Sequence, residues 1–383
     1  GPDKDSKQKS DYWHFLDELG YTPDADGYYS RGFASERPIE HCKPKFLETR
    51  AIDFLQRHQR TPFVLCVNFL EPHMPYNGPL NDLHDPNNLV LPENFNAPPG
   101  DDDPLRYRLL QQEYLLKGSQ GQDLHQESGW RRVMANYYGL VSQVDRSVGA
   151  ILAELERLGL AENTIVVYTS DHGDMMGSHR LLAKSVMYEE AVRVPWLMRI
   201  PQLGCPKAVL PGRYSHIDLA PTILDLLGHH QENESLPGKS LVPVIKGEER
   251  IERDVIIQWN TKNGAEDKHF NSNPKVSKEE LKRVQSAPIR TIITQEGWKL
   301  CLCSDDKHQL FDLSVDPGEA QNLYYAGRHA EKISELSSRI ENWQTSVNDT
   351  VKDLRSCGCS AHDAKNHYSY NYLRQLSNLQ IKL

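Results

Sequence analysis

No stretch of the 383 residues holds the roughly 18 consecutive apolar side chains that a membrane-spanning helix requires, so no span is predicted. Basic residues are not in excess either. Lys and Arg number 44 against 53 Asp and Glu, a net charge of -9, which excludes a general nucleic-acid binder and leaves room only for local basic clusters. The seven cysteines include no Cys-x-x-Cys pair of the zinc-binding kind, so no structural zinc site is predicted. Cys301 and Cys303 share one face of an apparent strand and read as buried thiols, and Cys357-Gly358-Cys359 reads as loop thiols in a turn-like tail, with disulfides as the alternative for both pairs. Internal repeats and low-complexity tracts are also missing. No secretory leader is readable, because the chain opens on Gly1-Pro2-Asp3-Lys4-Asp5-Ser6-Lys7-Gln8-Lys9, a polar linker unlike a native start. The native N-terminus is expected elsewhere, and the compartment stays open.

What is present begins with Thr164-Ile165-Val166-Val167-Tyr168-Thr169-Ser170-Asp171-His172-Gly173-Asp174, an apolar run that stops on two metal-ligand side chains and a glycine. β-Branched and aromatic residues without alternation suit a strand covered on both faces, as in a parallel sheet flanked by helices. Ligands of such sheets bind beyond the carboxyl ends of the strands, which is where Asp171 and His172 would lie. A second apolar run, Phe63 to Leu70, ends in Glu71-Pro72-His73-Met74-Pro75-Tyr76, where two prolines break the strand around a histidine. In a parallel sheet both loops fall on one edge. Downstream, His179, Arg180 and Lys184 place cations within thirteen residues of Asp171, with Arg193 and Arg199 as weaker candidates. Beside a metal and an anionic substrate, a lysine neutralises oxygens that gain charge in the transition state.

The rest of the chain reads as α/β units followed by a small antiparallel domain. Apolar spacing predicts helices over 45–58 and 131–158, the latter capped by Gly159, and a short helix over 217–227. Strands are predicted over 63–70, 164–169 and 194–200, and then over 255–259, 290–294, 298–303 and 309–313 with hairpin gaps. A final helix carrying Ile333, Leu336, Ile340, Trp343, Val347, Val351 and Leu354 would cover one face of that sheet. The expected division is a linker or loop region over 1–44, a catalytic domain over 45–250, an antiparallel subdomain over 251–355 and a tail over 356–383.

Thr169 to His179, then Leu182-Ala183-Lys184 and Glu189 to Pro195, resemble the sulfatases of the alkaline-phosphatase-like superfamily. Phe69 to Tyr76 is similar to the family's second active-site segment, and Ser215 to Thr222 to its usual helix start. Arg290, Lys299-Leu300 and Glu319 to Leu323 are similar to its C-terminal subdomain. The resemblance implies an α/β fold built on a mostly parallel sheet flanked by helices, with a smaller C-terminal α+β subdomain. It implies that Asp171 and His172 bind a divalent cation, that His73 hydrogen-bonds or protonates the leaving oxygen, and that Lys184 binds the sulfate; His179 and Arg180 are further substrate-binding candidates. Carboxylate ligation favours Ca²⁺ or Mg²⁺, while a histidine ligand also admits Mn²⁺ or Zn²⁺.

The family's nucleophile is a formylglycine made from the first residue of Cys/Ser-x-Pro-Ser-Arg, and these 383 residues contain no such motif. The nearest match, Cys42-Lys43-Pro44, lacks the Ser and Arg and reads as a loop cysteine. The expectation is a sulfuric ester hydrolase for a sulfated carbohydrate or small molecule, with its nucleophile and remaining metal ligands in a missing N-terminal segment or chain, and inactive as it stands. A phosphate or phosphonate monoester hydrolase of the same superfamily and an inactive glycan-binding protein are the alternatives. The resemblance favours a secreted, periplasmic or lysosomal setting over the cytoplasm. Gln258-Trp259-Asn260-Thr261-Lys262-Asn263, with His269-Phe270-Asn271, mixes aromatic and amide groups as sugar sites and ordinary polar loops both do.

Overall fold

The computed structural model describes residues 9–204, 209–229, 236–260, 276–351 and 354. The chain forms two compact units. The first comprises the described residues of Gly1–Pro98, Leu110–Pro211 and Pro243–Glu249; the second comprises those of Pro99–Leu109, Gly212–Val242 and Arg250–Leu383. The chain thus crosses between units several times, unlike the linear division expected at residue 250. The 212–242 segment joins the second unit because its polar groups are satisfied there. The backbone N–H of Arg213 donates to Gln295 Oε1 at 3.0 Å, and fully buried Asp218 pairs with Arg253 and accepts the Lys239 amide at 3.0 Å.

In the first unit, α1 (Asp11–Glu18) starts at Ser10, whose hydroxyl caps the Trp13 amide at 3.2 Å. This helix occupies what reads as linker in the sequence. Helix α2 (Lys43–His58) has proline in its first turn, where the missing N–H is harmless, and buries Phe46, Ala51 and Leu55. It packs on α4 (Glu127–Arg157), which follows α3 (Leu105–Lys117); the buried Ser147 hydroxyl donates to Glu48 Oε2 at 3.0 Å across the α2–α4 contact. Helix α4 supplies Trp130, Val133 and Met134 to a core that also holds Tyr76, Phe95, Leu124, Met176 and Leu182. That core lies directly beneath the two loops singled out by the sequence.

Strand β1 (Val166–Thr169) pairs antiparallel with β2 (Trp196–Arg199), Thr169 opposite Trp196, with α5 (Glu189–Val192) between them. Residues 63–70 form no ladder among the described residues, and no parallel pair occurs there. They alternate partly buried and exposed with a period of two. Val64 is 85% exposed, Tyr168 45% and Leu197 59%, so these runs bury one face where continuous apolar character predicted two.

The second unit contains α6 (Leu219–Leu226), which follows a capping box between Ser215 and Asp218. After α7 (Val242–Ile245) come β3 (Val255–Trp259), α8 (Lys278–Ser286), β4 (Ile289–Ile293), β5 (Trp298–Cys303) and β6 (Gln309–Asp312). The four strands form one antiparallel sheet in sequential order, with Ile292 opposite Leu300 and Leu300 opposite Leu310. Helix α9 (Ala330–Ser346) covers it as expected, setting Leu336 and Ile340 on Ile292, Leu300, Leu302 and Leu310; Leu354 joins this cluster from beyond the helix end. Cys301 and Cys303 are buried on β5. Cys357, Cys359 and the 261–271 stretch lie outside the described residues. No helix among the described residues is long and apolar enough to cross a membrane. The architecture is α/β with an antiparallel C-terminal sheet and a covering helix.

Candidate active site

Strand β1 delivers Asp171 and His172 through a turn closed by its own side chains. The Ser170 hydroxyl donates to His172 O at 2.8 Å, and the His172 amide donates to Asp171 Oδ1 at 3.0 Å. Gly173 follows because nothing larger fits: a Cβ there would stand 2.0 Å from Glu190 O, and the Gly173 amide donates to Ala191 O at 2.9 Å. Residues 174–184 then fold back on themselves, with the Met175 amide on Ala183 O at 2.7 Å and the Gly177 amide on Leu181 O at 2.9 Å. Met176, His179, Arg180, Ala183 and Ser185 all have positive φ, a concentration of costly backbone that persists only where surroundings over-determine it.

Asp174 is the main determinant. Its Oδ1 accepts the Met176 amide at 3.1 Å and the Ala183 amide at 2.9 Å, and its Oδ2 accepts the Tyr76 hydroxyl at 2.7 Å. The last bond ties the β1 loop to the loop after residue 70. Burial raises the Asp174 pKa, opposed by these donors and by Lys184.

The consequence is that Lys184 meets His73, 111 positions away, with Nζ to Nε2 at 2.7 Å. Both Glu71-Pro72 and Met74-Pro75 are cis, so the histidine sits between two cis prolines. His73 Nδ1 lies 2.8 Å from Met74 O and 3.3 Å from Arg31 Nη1. One tautomer satisfies the two shorter contacts: Nε2 accepts from the Lys184 ammonium and Nδ1–H donates to Met74 O. Burial lowers the His73 pKa, and the charges of Lys184 and Arg31 push it the same way. Burial also lowers that of Lys184, against the pull of Asp174 and Asp171.

Asp171 is exposed and His172 half-exposed, with His172 Nε2 3.6 Å from Asp171 Oδ2. His172 Nδ1 is 2.8 Å from Gly173 O, so Nε2 is the nitrogen free to ligate; a carbonyl-anchored imidazole is the usual arrangement of a metal-binding histidine. These two donors fit a divalent cation. Among the described residues no group of three or more His, Cys, Asp and Glu side chains is placed to hold one.

His179 and Arg180 are placed differently from the sequence expectation. His179 is 1% exposed, stacked on Tyr188 at 3.9 Å, with Nδ1 at 2.6 Å from Ala97 O and Nε2 at 3.1 Å from Asn94 Nδ2. Both nitrogens are thus engaged by the framework. Arg180 donates to Asn96 Oδ1 at 3.3 Å and lies over the Phe95 ring. Cys42 is buried, its thiol 3.5 Å from Pro38 O and its pKa raised by burial, the opposite of an activated nucleophile. Sequence reasoning missed Tyr76, Asp174 as a loop staple, and Arg31.

Fold and site together define an α/β protein whose two loops converge on a histidine–lysine pair. The chain belongs to the sulfatase family: it matches Sulfatase over residues 4–229 and N-sulphoglucosamine sulphohydrolase, C-terminal, over residues 177–346. It is 32% identical over 270 residues to a choline-sulfatase of Rhizobium meliloti, covering 69% of this chain and 46% of that protein. It is 31% identical over 230 residues to an N-acetylglucosamine-6-O-sulfatase of Bacteroides thetaiotaomicron, covering 58% of this chain and 38% of the relative. The fold is similar to that of a phosphonate monoester hydrolase from Silicibacter pomeroyi, with a TM-score of 0.71 and 24% identity, covering 88% of this chain and 69% of the other. The chain spans less than half the length of those two sulfatase relatives.

Proposed function

We propose that the protein takes part in hydrolysis of a sulfate ester, with a sulfated carbohydrate as substrate. The observation that carries this reading is the 2.7 Å approach of Lys184 Nζ to His73 Nε2, supported by family membership and by the acetylglucosamine sulfatase among the relatives. In this reading the Lys184 ammonium holds sulfate oxygens and offsets their growing charge. Bound sulfate offsets the Lys184 charge beside His73, so Nε2 can take a proton from solvent and pass it to the leaving oxygen as the S–O bond breaks, while Nδ1–H stays on Met74 O and fixes the ring. Asp171 and His172 would hold a divalent cation, with Ca²⁺ or Mg²⁺ preferred and further ligands required; when bound it would polarise the ester oxygens. The nucleophile is a formylglycine supplied from outside these 383 residues, because none of them opens the required motif.

Calorimetric titration of the 383-residue protein with a sulfated monosaccharide tests the binding half. Lys184→Ala is expected to weaken binding by about 10- to 100-fold, the worth of one charge-assisted hydrogen bond. Undiminished binding, or none by the wild type, overturns the assignment. The isolated chain is expected to show no turnover of a chromogenic aryl sulfate. Turnover abolished by His73→Ala would instead place the nucleophile within it.

A phosphonate or phosphate monoester is the second reading, favoured by the fold similarity to a phosphonate monoester hydrolase. Relative rates on matched sulfate and phosphonate esters, measured in a form carrying the nucleophile, separate the two.

A further inference from the structure

Beside His73 lies a cavity of about 200 Å³, whose wall is drawn mostly from residues 9–43 and 70–79. That volume suits one small ring. Tyr12, Trp13 and Tyr29 contribute to the wall, and each has its polar tip committed to a backbone carbonyl: Tyr12 Oη to His41 O at 2.8 Å, Trp13 Nε1 to Gly27 O at 3.1 Å, Tyr29 Oη to Tyr21 O at 2.6 Å. What these rings offer a ligand is therefore carbon surface.

The wall's charge runs against that of the chain. Lys9, Arg31, Arg37 and Lys43 line it, against the single carboxylate of Glu71, in a protein of net charge -9. Burial raises the Glu71 pKa, which weakens even that opposing charge. A concave site of one sign concentrates ions of the other.

Arg31 links this cavity to the reaction centre. Its Nη1 stands 3.3 Å from His73 Nδ1, and Arg31 forms no ion pair with a carboxylate among the described residues. An exposed guanidinium with most of its fork unspent, at the junction of an aromatic cavity and the histidine–lysine pair, is suited to an acidic group.

We propose that this cavity is a second subsite, taking the sugar adjacent to the sulfated one and pairing that sugar's own acidic group, a carboxylate or a second sulfate, with Arg31. The inference rests on the sulfated-carbohydrate reading and narrows it to a polyanionic glycan of at least two units.

The test is calorimetric titration of the 383-residue protein with four probes: a sulfated monosaccharide, and the same unit linked to a neutral hexose, to a uronate, or to a second sulfated sugar. At least one acidic disaccharide is expected to bind about tenfold or more tighter than the monosaccharide, and the preferred one identifies the acidic group. Arg31→Gln, a change at an exposed position, should reduce that disaccharide to the affinity of the neutral one. Trp13→Ala should bring all three disaccharides down to the monosaccharide value. Equal affinity for all four probes overturns the subsite and leaves the sulfate-ester reading standing. Arg31-dependent binding of the uronate disaccharide that persists in Lys184→Ala, with no binding of the monosaccharide, keeps the subsite and removes that reading. Binding of none removes both.

Discussion

Asp174→Ala removes the acceptor on which the two active-site loops meet. Native Asp174 takes three donors: the Tyr76 hydroxyl at 2.7 Å and the amides of Met176 and Ala183 at 3.1 and 2.9 Å. Tyr76 is 1% exposed, so its hydroxyl has little water to turn to. A buried donor left unpaired costs about 1–3 kcal/mol, which sets an upper bound of about 9 kcal/mol for three. Loop relaxation and water entering beside partly buried Asp174 recover part of this, so a loss of about 4 kcal/mol is expected, at the diagnostic end of single substitutions. Asp174→Asn is the control. Its carbonyl oxygen can keep both amides while its NH₂ donates to a rotated Tyr76 hydroxyl, for a cost of about 1 kcal/mol. Urea unfolding of the three proteins reads the difference directly. Asp174→Ala within about 1 kcal/mol of wild type, or Asn as damaging as Ala, would refute the staple argument. The same substitution reaches the site, because Ala183 immediately precedes Lys184 and Asp174 is the charge that most raises the proton affinity of that lysine. Sulfate binding by Asp174→Ala should therefore fall by about tenfold.

Gly173→Ala would drive a methyl to within 2.0 Å of Glu190 O, a backbone atom that cannot step aside cheaply; unfolding experiments should show a loss above about 2 kcal/mol. In the second unit, Arg290 grips Asp349 with bonds of 2.7 and 2.8 Å and holds its carboxyl down to about 2, against an ordinary 3.8. A depressed carboxyl stabilises above its unfolded pKa, so about 2 kcal/mol should be present above pH 4 and vanish toward pH 2. The stability gap between wild type and Asp349→Asn, followed across that window, should close; a gap independent of pH would contradict the pairing. The fully buried Lys299–Glu319 pair, 2.7 Å apart, predicts a loss of about 3–5 kcal/mol for Glu319→Ala and substantial recovery in Lys299→Met/Glu319→Leu. Because burial lowers the Lys184 pKa, sulfate affinity should begin to fade on the alkaline side below the usual lysine range, and titrations across pH 7 to 11 should show this.

Local regularities made much of this visible from the chain alone. The stripe through Leu336 and Ile340, the hairpin spacing of the four sheet strands and the break after Thr169 each arise within a few residues of one another, where period and turn chemistry act. Helix α1 escaped because only Leu16 of its eight residues is buried, so its apolar pattern is too thin to announce a helix. The 63–70 run is apolar throughout, yet one of its faces is open and no ladder partner stands beside it among the described residues. The Tyr76–Asp174 bond joins residues 98 positions apart, and neither carries a local mark of the other. Residue type narrows the site's chemistry, but only three-dimensional pairing decides which polar group is a staple and which is left to act.

The three histidines make that point most sharply, since the sequence made each a site candidate, His73 for the leaving oxygen, His172 for a metal and His179 for substrate. Each anchors Nδ1 on a backbone carbonyl: His73 on Met74 O at 2.8 Å, His172 on Gly173 O at 2.8 Å, His179 on Ala97 O at 2.6 Å. Their roles diverge at Nε2, which meets Lys184 in the first case, exposed Asp171 in the second, and the buried Asn94 amide in the third. A nitrogen that faces a partly buried lysine or open solvent can exchange its partner for a substrate or a metal; one sealed against Asn94 and stacked on Tyr188 cannot do so without unfolding its surroundings. His179→Ala should then cost about 2–4 kcal/mol through two lost hydrogen bonds and a cavity, while His73→Ala costs under about 1 kcal/mol. Sulfate binding should change in the opposite order once both proteins are measured fully folded. If His179→Ala keeps its stability and loses sulfate affinity, the histidine faces substrate after all, and the division of labour drawn from Nε2 is wrong.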